Sequence, residues 1–210
     1  MNDYIRGMCP KVHVTATTVN NKKKEFVLLL IGLSGSGKGT QSFFLKKAIS
    51  RLRIIRTGPL LRKLAKKNTT TAKLLRPYLS QGRLVPEWVV LYTWTKVLFE
   101  SVRDKESLLF DGTPRHITQA RHLDEVMRWH GKPLPTAIFL DIRREESERR
   151  LLERGRADDT KEAIRERMKF FYSNVLPAIR HYKKQGRLIH VDGEQPPKKV
   201  AEDIRKELGL

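Results

Sequence analysis

The chain has 210 residues, 39% hydrophobic and 31% charged, which fits one globular domain with a sizeable core. Its longest apolar run, residues 26–31, is far too short for a membrane-spanning helix. Cys9 is the only cysteine, which excludes an internal disulfide and a cysteine-rich zinc site, and the net charge of +20 predicts affinity for polyanions without choosing among nucleotides, nucleic acids and acidic membranes.

Residues 1–24 show no helical or strand period and end in Lys22-Lys23-Lys24, so a flexible basic arm is expected there, ahead of a domain over 25–210. The arm lacks the apolar stretch of a secretory leader; it contains Asp3 and is only mildly basic, unlike a transit peptide. A reducing cytoplasm is the expected compartment, with no membrane association.

Residues 25–31 read as a buried strand, followed by the glycine-rich 32–39 and a helix over 41–51. A short strand is expected over 53–56. Residues 57–82 look helical and basic, with breaks near 68–71 and at Pro77. A helix follows over 87–103, its apolar face formed by Val90, Leu91, Trp94, Val97 and Leu98. A strand over 107–110 ends at Asp111, a helix covers 118–130, and a strand over 137–140 ends at Asp141. A strongly charged helix is expected over 143–154 and a long one over 160–185, bent at Pro177. The last strand is 188–191 and the last helix 197–208. Short apolar strands alternating with helices imply an α/β fold with a parallel central sheet covered on both faces.

Gly32-Leu-Ser-Gly-Ser-Gly-Lys38-Gly39-Thr40 lies between a strand and a helix, the setting a phosphate-binding P-loop needs. Its glycines let backbone N–H groups curl around phosphate oxygens, and the helix start adds a favourable dipole. Lys38 supplies a mobile positive charge. The strict pattern has Ser or Thr directly after the lysine; here Gly39 intervenes.

That Gly-Lys-Gly-Thr-Gln ending resembles the adenylate kinase family. Further stretches, from about residue 26 to 208, are similar to the family's other motifs. Arg56-Thr-Gly-Pro-Leu-Leu-Arg62 looks like its Ser-Thr-Gly-Asp-Leu-Leu-Arg, with Pro59 in place of the aspartate. Gly82-Arg-Leu-Val-Pro86 looks like Gly-x-Leu-Val-Pro. Leu108-Leu-Phe-Asp-Gly-Thr-Pro-Arg115 looks like Leu-Leu-Asp-Gly-Phe-Pro-Arg, with Thr113 replacing the aromatic and Gln119 four residues on. Arg150-Leu-Leu-Glu-Arg-Gly-Arg-Ala-Asp-Asp159 looks like the lid hinge, and Arg167 falls on the helix after it. Val191-Asp-Gly193 looks like the Val-Asp-Gly after the last strand.

The resemblance implies a P-loop three-layer sandwich, a helical insertion for the nucleoside monophosphate over about 57–86, and a very short lid over about 154–158. It implies Mg-dependent transfer of a phosphoryl group from ATP to AMP by a monomer. ATP-binding residues would be Gly35, Ser36, Gly37, Lys38, Gly39, Thr40, Arg150, Arg154 and Gln195. AMP-binding residues would be Thr57, Arg62, Leu84, Val85, Gly112, Arg115, Gln119, Arg156 and Arg167. Lys38, Arg115, Arg154, Arg156 and Arg167 would be catalytic, since fixed cations stabilise the charge spread over the transferring group. Asp111 would hold Mg²⁺ through water, with Thr40 as the second metal-side group.

The amide of Gln119 can donate and accept together, which suits adenine. Kinases for UMP or CMP tend to differ there, and a UMP, CMP or other monophosphate kinase is the alternative within the class. The other alternative is a nucleic-acid-binding protein with a retained P-loop and weak ATPase, which the charge of +20 favours and the full set of phosphate-reading residues disfavours. With so short a lid, weaker exclusion of water and some ATP hydrolysis are expected.

Overall fold

The structure, a computed structural model, describes residues 24–81, 83–155 and 159–210. The expected arm, apart from Lys24, lies outside them, as do Gly82 and the lid residues Arg156, Ala157 and Asp158.

Five strands form one parallel sheet: β1 Val27–Ile31, β2 Leu52–Arg56, β3 Ser107–Asp111, β4 Thr136–Asp141 and β5 Leu188–Asp192, in the order β2-β3-β1-β4-β5. Every residue of β1 is at most 3% exposed. Alternation along the strand sends Val27, Leu29 and Ile31 into one core and Leu28 and Leu30 into the other. A central strand buried on both faces thus reads as an unbroken apolar run, as its sequence does.

The smaller core lies under α1 Lys38–Ala48 and α9 Pro197–Leu208, through Leu45, Val200 and Ile204. The larger lies under α4 Glu87–Ser101, α5 Ile117–Trp129, α7 Lys161–Phe170 and α8 Leu176–Lys184. Trp94 and Phe110 meet there edge to face at 5.9 Å. The result is the three-layer α/β sandwich expected from the sequence.

The helical insertion is α2 Thr57–Ala65 and α3 Thr70–Ser80. The expected break at 68–71 is present: the Thr69 hydroxyl accepts from the Ala72 N–H at 3.2 Å and caps α3. The break expected at Pro77 is not, and α3 runs through it. Pro59 stands in the first turn of α2, where its missing N–H removes no helical bond.

At Pro177 the long helix departs from the α form one turn earlier. Phe171–Val175 is a π-helical turn, and the Leu176 N–H bonds to the Phe171 carbonyl five residues back. Proline lacks the N–H that would bond residue 173 and crowds that carbonyl; the wider turn absorbs both.

Candidate active site

α6 Arg144–Arg154 lies over the carboxyl ends of the strands. The P-loop leaves β1 between the ends of β3 and β4, where open parallel sheets bind ligands. A Cβ on Gly32 would stand 2.6 Å from the Leu140 carbonyl and 2.6 Å from Ser36 Oγ, so only glycine fits against β4. Ser36 is buried. The Lys38 ammonium folds back over the loop, donating to the carbonyls of Gly32 (2.9 Å) and Leu33 (2.7 Å) and to Ser36 Oγ (3.4 Å). Desolvation lowers its pKa to about 8; Asp111 opposes this, while Arg115 and Arg154 add to it. These four residues, from four segments of the sequence, therefore share one electrostatic neighbourhood.

Asp111 ends β3 in register with Leu30 of β1. Its carboxylate lies 3.7 Å from Arg56 Nε, and Arg56 also donates to Ser42 Oγ at 3.2 Å. Thr57 is buried and donates to the Asp111 carbonyl at 3.4 Å. Gly112 follows at φ +94, a value L side chains rarely adopt. A Cβ there would meet Thr57 Oγ1 at 3.4 Å and a terminal nitrogen of Arg115 at 3.6 Å, which shows how closely these groups gather.

Arg115 donates its Nε to the Gly112 carbonyl at 2.9 Å, and a terminal nitrogen of Arg62 lies 3.4 Å from where a Gly58 Cβ would stand. Neither guanidinium pairs with a carboxylate among the described residues. Arg143 and Arg149, by contrast, pair with Glu194 at 2.8 Å and with Glu146 at 2.7 Å. The uncompensated guanidinium groups are the ones equipped for a phosphate. Gln119 is 2% exposed; its Oε1 accepts from the Arg115 N–H at 2.8 Å and the Thr113 hydroxyl at 3.0 Å.

On the other side of the loop, Arg150 donates to Glu146 (2.6 Å) and to the carbonyls of Gly193 (3.1 Å) and Gly35 (3.4 Å). This ties α6 to both the P-loop and the segment after β5. Gln195 is held by the Asp192 carbonyl and by Asp203. Arg154 grips Asp159 with two parallel bonds of 2.9 and 2.8 Å, and Arg167 reaches the same carboxylate at 2.9 Å. The Asp159 side chain is 0% exposed. One buried anion thus sets the spacing of two cations above the loop.

The adenylate kinase family model matches residues 30–187. The adenylate kinase of Prochlorococcus marinus (strain MIT 9301) is 34% identical over 182 residues, covering 86% of this chain and 97% of that protein. That of Bacteroides fragilis is 34% identical over 185 residues, covering 85% and 96%. Adenylate kinase 1 of a Nostoc species is 32% identical over 182 residues, covering 87% and 98%. The chain belongs to the adenylate kinase family. It is an enzyme of the nucleoside monophosphate kinase class, a phosphotransferase.

Within this family frame, most site residues expected from sequence converge at the carboxyl ends of the strands. Gly35, Gly37, Gly39 and Thr40 line the loop and the start of α1, with Gly39 and Thr40 exposed. Leu84 is 48% exposed just before α4, while Val85 packs partly onto the larger core. Arg156 lies outside the described residues. Three contributors carry no role in the sequence reading. Arg56 was visible beside Thr57, Glu146 stands four residues before Arg150 on one helix face, and Asp159 closes the Asp-Asp pair; their function emerges only from partners distant in space.

Among the described residues no group of three or more His, Cys, Asp or Glu side chains forms a metal cage, and no helix is long and apolar enough to cross a membrane. The donors offered are a single carboxylate, Asp111, and the exposed hydroxyl of Thr40. That sparse oxygen set fits Mg²⁺, which keeps several waters and takes its remaining ligands from substrate phosphates.

Proposed function

We propose that the chain transfers the γ-phosphoryl group of Mg-ATP to AMP, giving two ADP. The observation that supports this best is the shared neighbourhood of Lys38, Asp111, Arg115 and Arg154, with uncompensated guanidinium groups on the side of the helical insertion. An oxygen of the AMP phosphate attacks the γ-phosphorus in line. The bond from that phosphorus to the β–γ bridging oxygen breaks, and the β-phosphate leaves as part of ADP.

Lys38 and the loop amides hold the ATP phosphates; Arg150 and the backbone near Gln195 flank the ATP base. Thr57, Arg62, Gly112, Arg115 and Gln119 hold AMP, with Leu84 and Val85 along its base. Arg154, Arg167 and Arg156 offset the repulsion between the two phosphate groups and the charge on the transferring one. Mg²⁺, held by Asp111 through water and on the side of Thr40, would neutralise β- and γ-oxygens. The fold accommodates a monomer in a reducing cytoplasm, and the charge of +20 adds a salt-dependent affinity for polyanions.

The test is ADP formation from ATP and Mg²⁺ with AMP, GMP, CMP or UMP supplied singly. Turnover with AMP is expected. Turnover with CMP or UMP and none with AMP would overturn the substrate; none with any, in folded protein that binds ATP, would overturn the reaction.

A further inference from the structure

We propose that Thr113 is a positioning residue that commits Gln119 to donating hydrogen bonds toward the nucleobase of the monophosphate, and so admits 6-oxopurines beside adenine. The inference rests on the reading that Gln119 faces that base. Both side chains are buried, at 3% and 2% exposure. The backbone N–H of Arg115 can only donate, so the amide oxygen of Gln119 must face it, at 2.8 Å. The Thr113 hydroxyl takes the other side of that oxygen at 3.0 Å. A carbonyl oxygen has two lone pairs, and both are then used. The amide nitrogen bonds to no described residue and keeps two donors.

A donor-only amide can serve a ring nitrogen of adenine. It offers nothing to the 6-amino group, which is itself a donor. The 6-oxo group of hypoxanthine or guanine is an acceptor and suits the same amide. An unmet donor or acceptor in a closed site weakens binding, so the free lone pair withheld by Thr113 is the element that would otherwise favour the 6-amino base. Thr113 stands where the resembling motif has an aromatic side chain, which carries no hydroxyl at this reach.

The experiment compares kcat/KM for AMP, IMP and GMP in the wild type, Thr113→Val and Thr113→Ser, with calorimetric binding of AMP and IMP alongside. The wild type is expected to handle IMP within about tenfold of AMP. Thr113→Val releases one lone pair and should raise the AMP-to-IMP ratio roughly three- to tenfold, the worth of one neutral hydrogen bond, mainly through KM. Thr113→Ser should restore the wild-type ratio. Parallel losses on all three nucleotides in Thr113→Val would mark a purely structural role and overturn the proposal. So would a wild-type preference for AMP above about a thousandfold, which needs no variant to fold. Absence of turnover with every nucleotide would instead count against the kinase reading, and the calorimetric ratio would still decide the role of Thr113.

Discussion

Replacing Asp159 by Asn keeps the shape of the side chain and removes the charge that two arginines share. Breaking a fully buried ion pair by deleting one partner costs about 3–5 kcal/mol. Here the carboxylate is fully buried, but the Arg154 and Arg167 side chains are 33% and 26% exposed, so water compensates part of the loss. Asn also keeps one oxygen acceptor. A destabilisation of about 1–3 kcal/mol results, and for a chain of this size each kcal/mol lowers Tm by roughly 2–4 °C. Thermal unfolding followed by circular dichroism measures that. The kinetic effect should exceed the stability effect, because two like charges without their common anchor lose their aim at the phosphates. A fall in kcat of at least about tenfold is expected. An unchanged Tm, or a lowered Tm with kcat intact, would refute the assignment of Asp159 as the anchor of both arginines.

Other residues yield equally direct tests. Lys38→Met should lower kcat by at least about a hundredfold while circular dichroism stays native, since the fold does not depend on the ammonium. In the free protein Lys38 loses its proton near pH 8 rather than at its usual value; bound phosphates favour the charged form, so ATP binding above pH 8 should take up a proton and weaken by up to about tenfold per pH unit. Calorimetry in two buffers of different ionisation heat detects that uptake, and Lys38→Met should abolish it. Gly32→Ala forces a methyl group to 2.6 Å from the Leu140 carbonyl and should cost about 2 kcal/mol or more in urea unfolding. Asp111→Asn should raise the Mg²⁺ concentration needed for half-maximal rate by about tenfold, with ATP affinity in the absence of Mg²⁺ unchanged or improved.

The strands and the loop were legible because they depend on local pattern: Val27–Ile31 is apolar throughout, and Lys38 follows its glycines at fixed spacing. The break at Thr69 was legible for the same reason, a capping side chain before a helical run. Pro77 misled because helix interruption is only a local tendency; α3 packs Ala72 and Leu75 into the core on the far side and continues past the proline. The helix over 41–51 begins three residues earlier, at Lys38, and stops at Ala48, since the loop geometry and not the apolar period sets its start. Partnerships were the least legible. That Arg62 and Arg115 lack a carboxylate while Arg143 and Arg149 have one depends on which acidic residues the fold brings near, and all four look alike in a chain this rich in arginine. The expected role of Gln119 changed in the same way: the amide can donate and accept, but Thr113 and the Arg115 backbone take its oxygen, a fact set by how the loop after β3 turns back.

The π-helical turn at Phe171–Val175 has a consequence for the phase of everything after it. Each residue advances an α-helix by about 100°, and the wide turn accommodates one more residue than an α turn would. Removing a single residue from this turn would restore regular winding and rotate α8 by about a quarter of a revolution. Ala178, Ile179 and Tyr182 would then leave the core face they now share, and the His181 contact with Asp124 on α5 would be lost. The extra residue is therefore a phase correction, matching the face of α7 that seats Arg167 over the active site to the face of α8 that closes the back of the sheet.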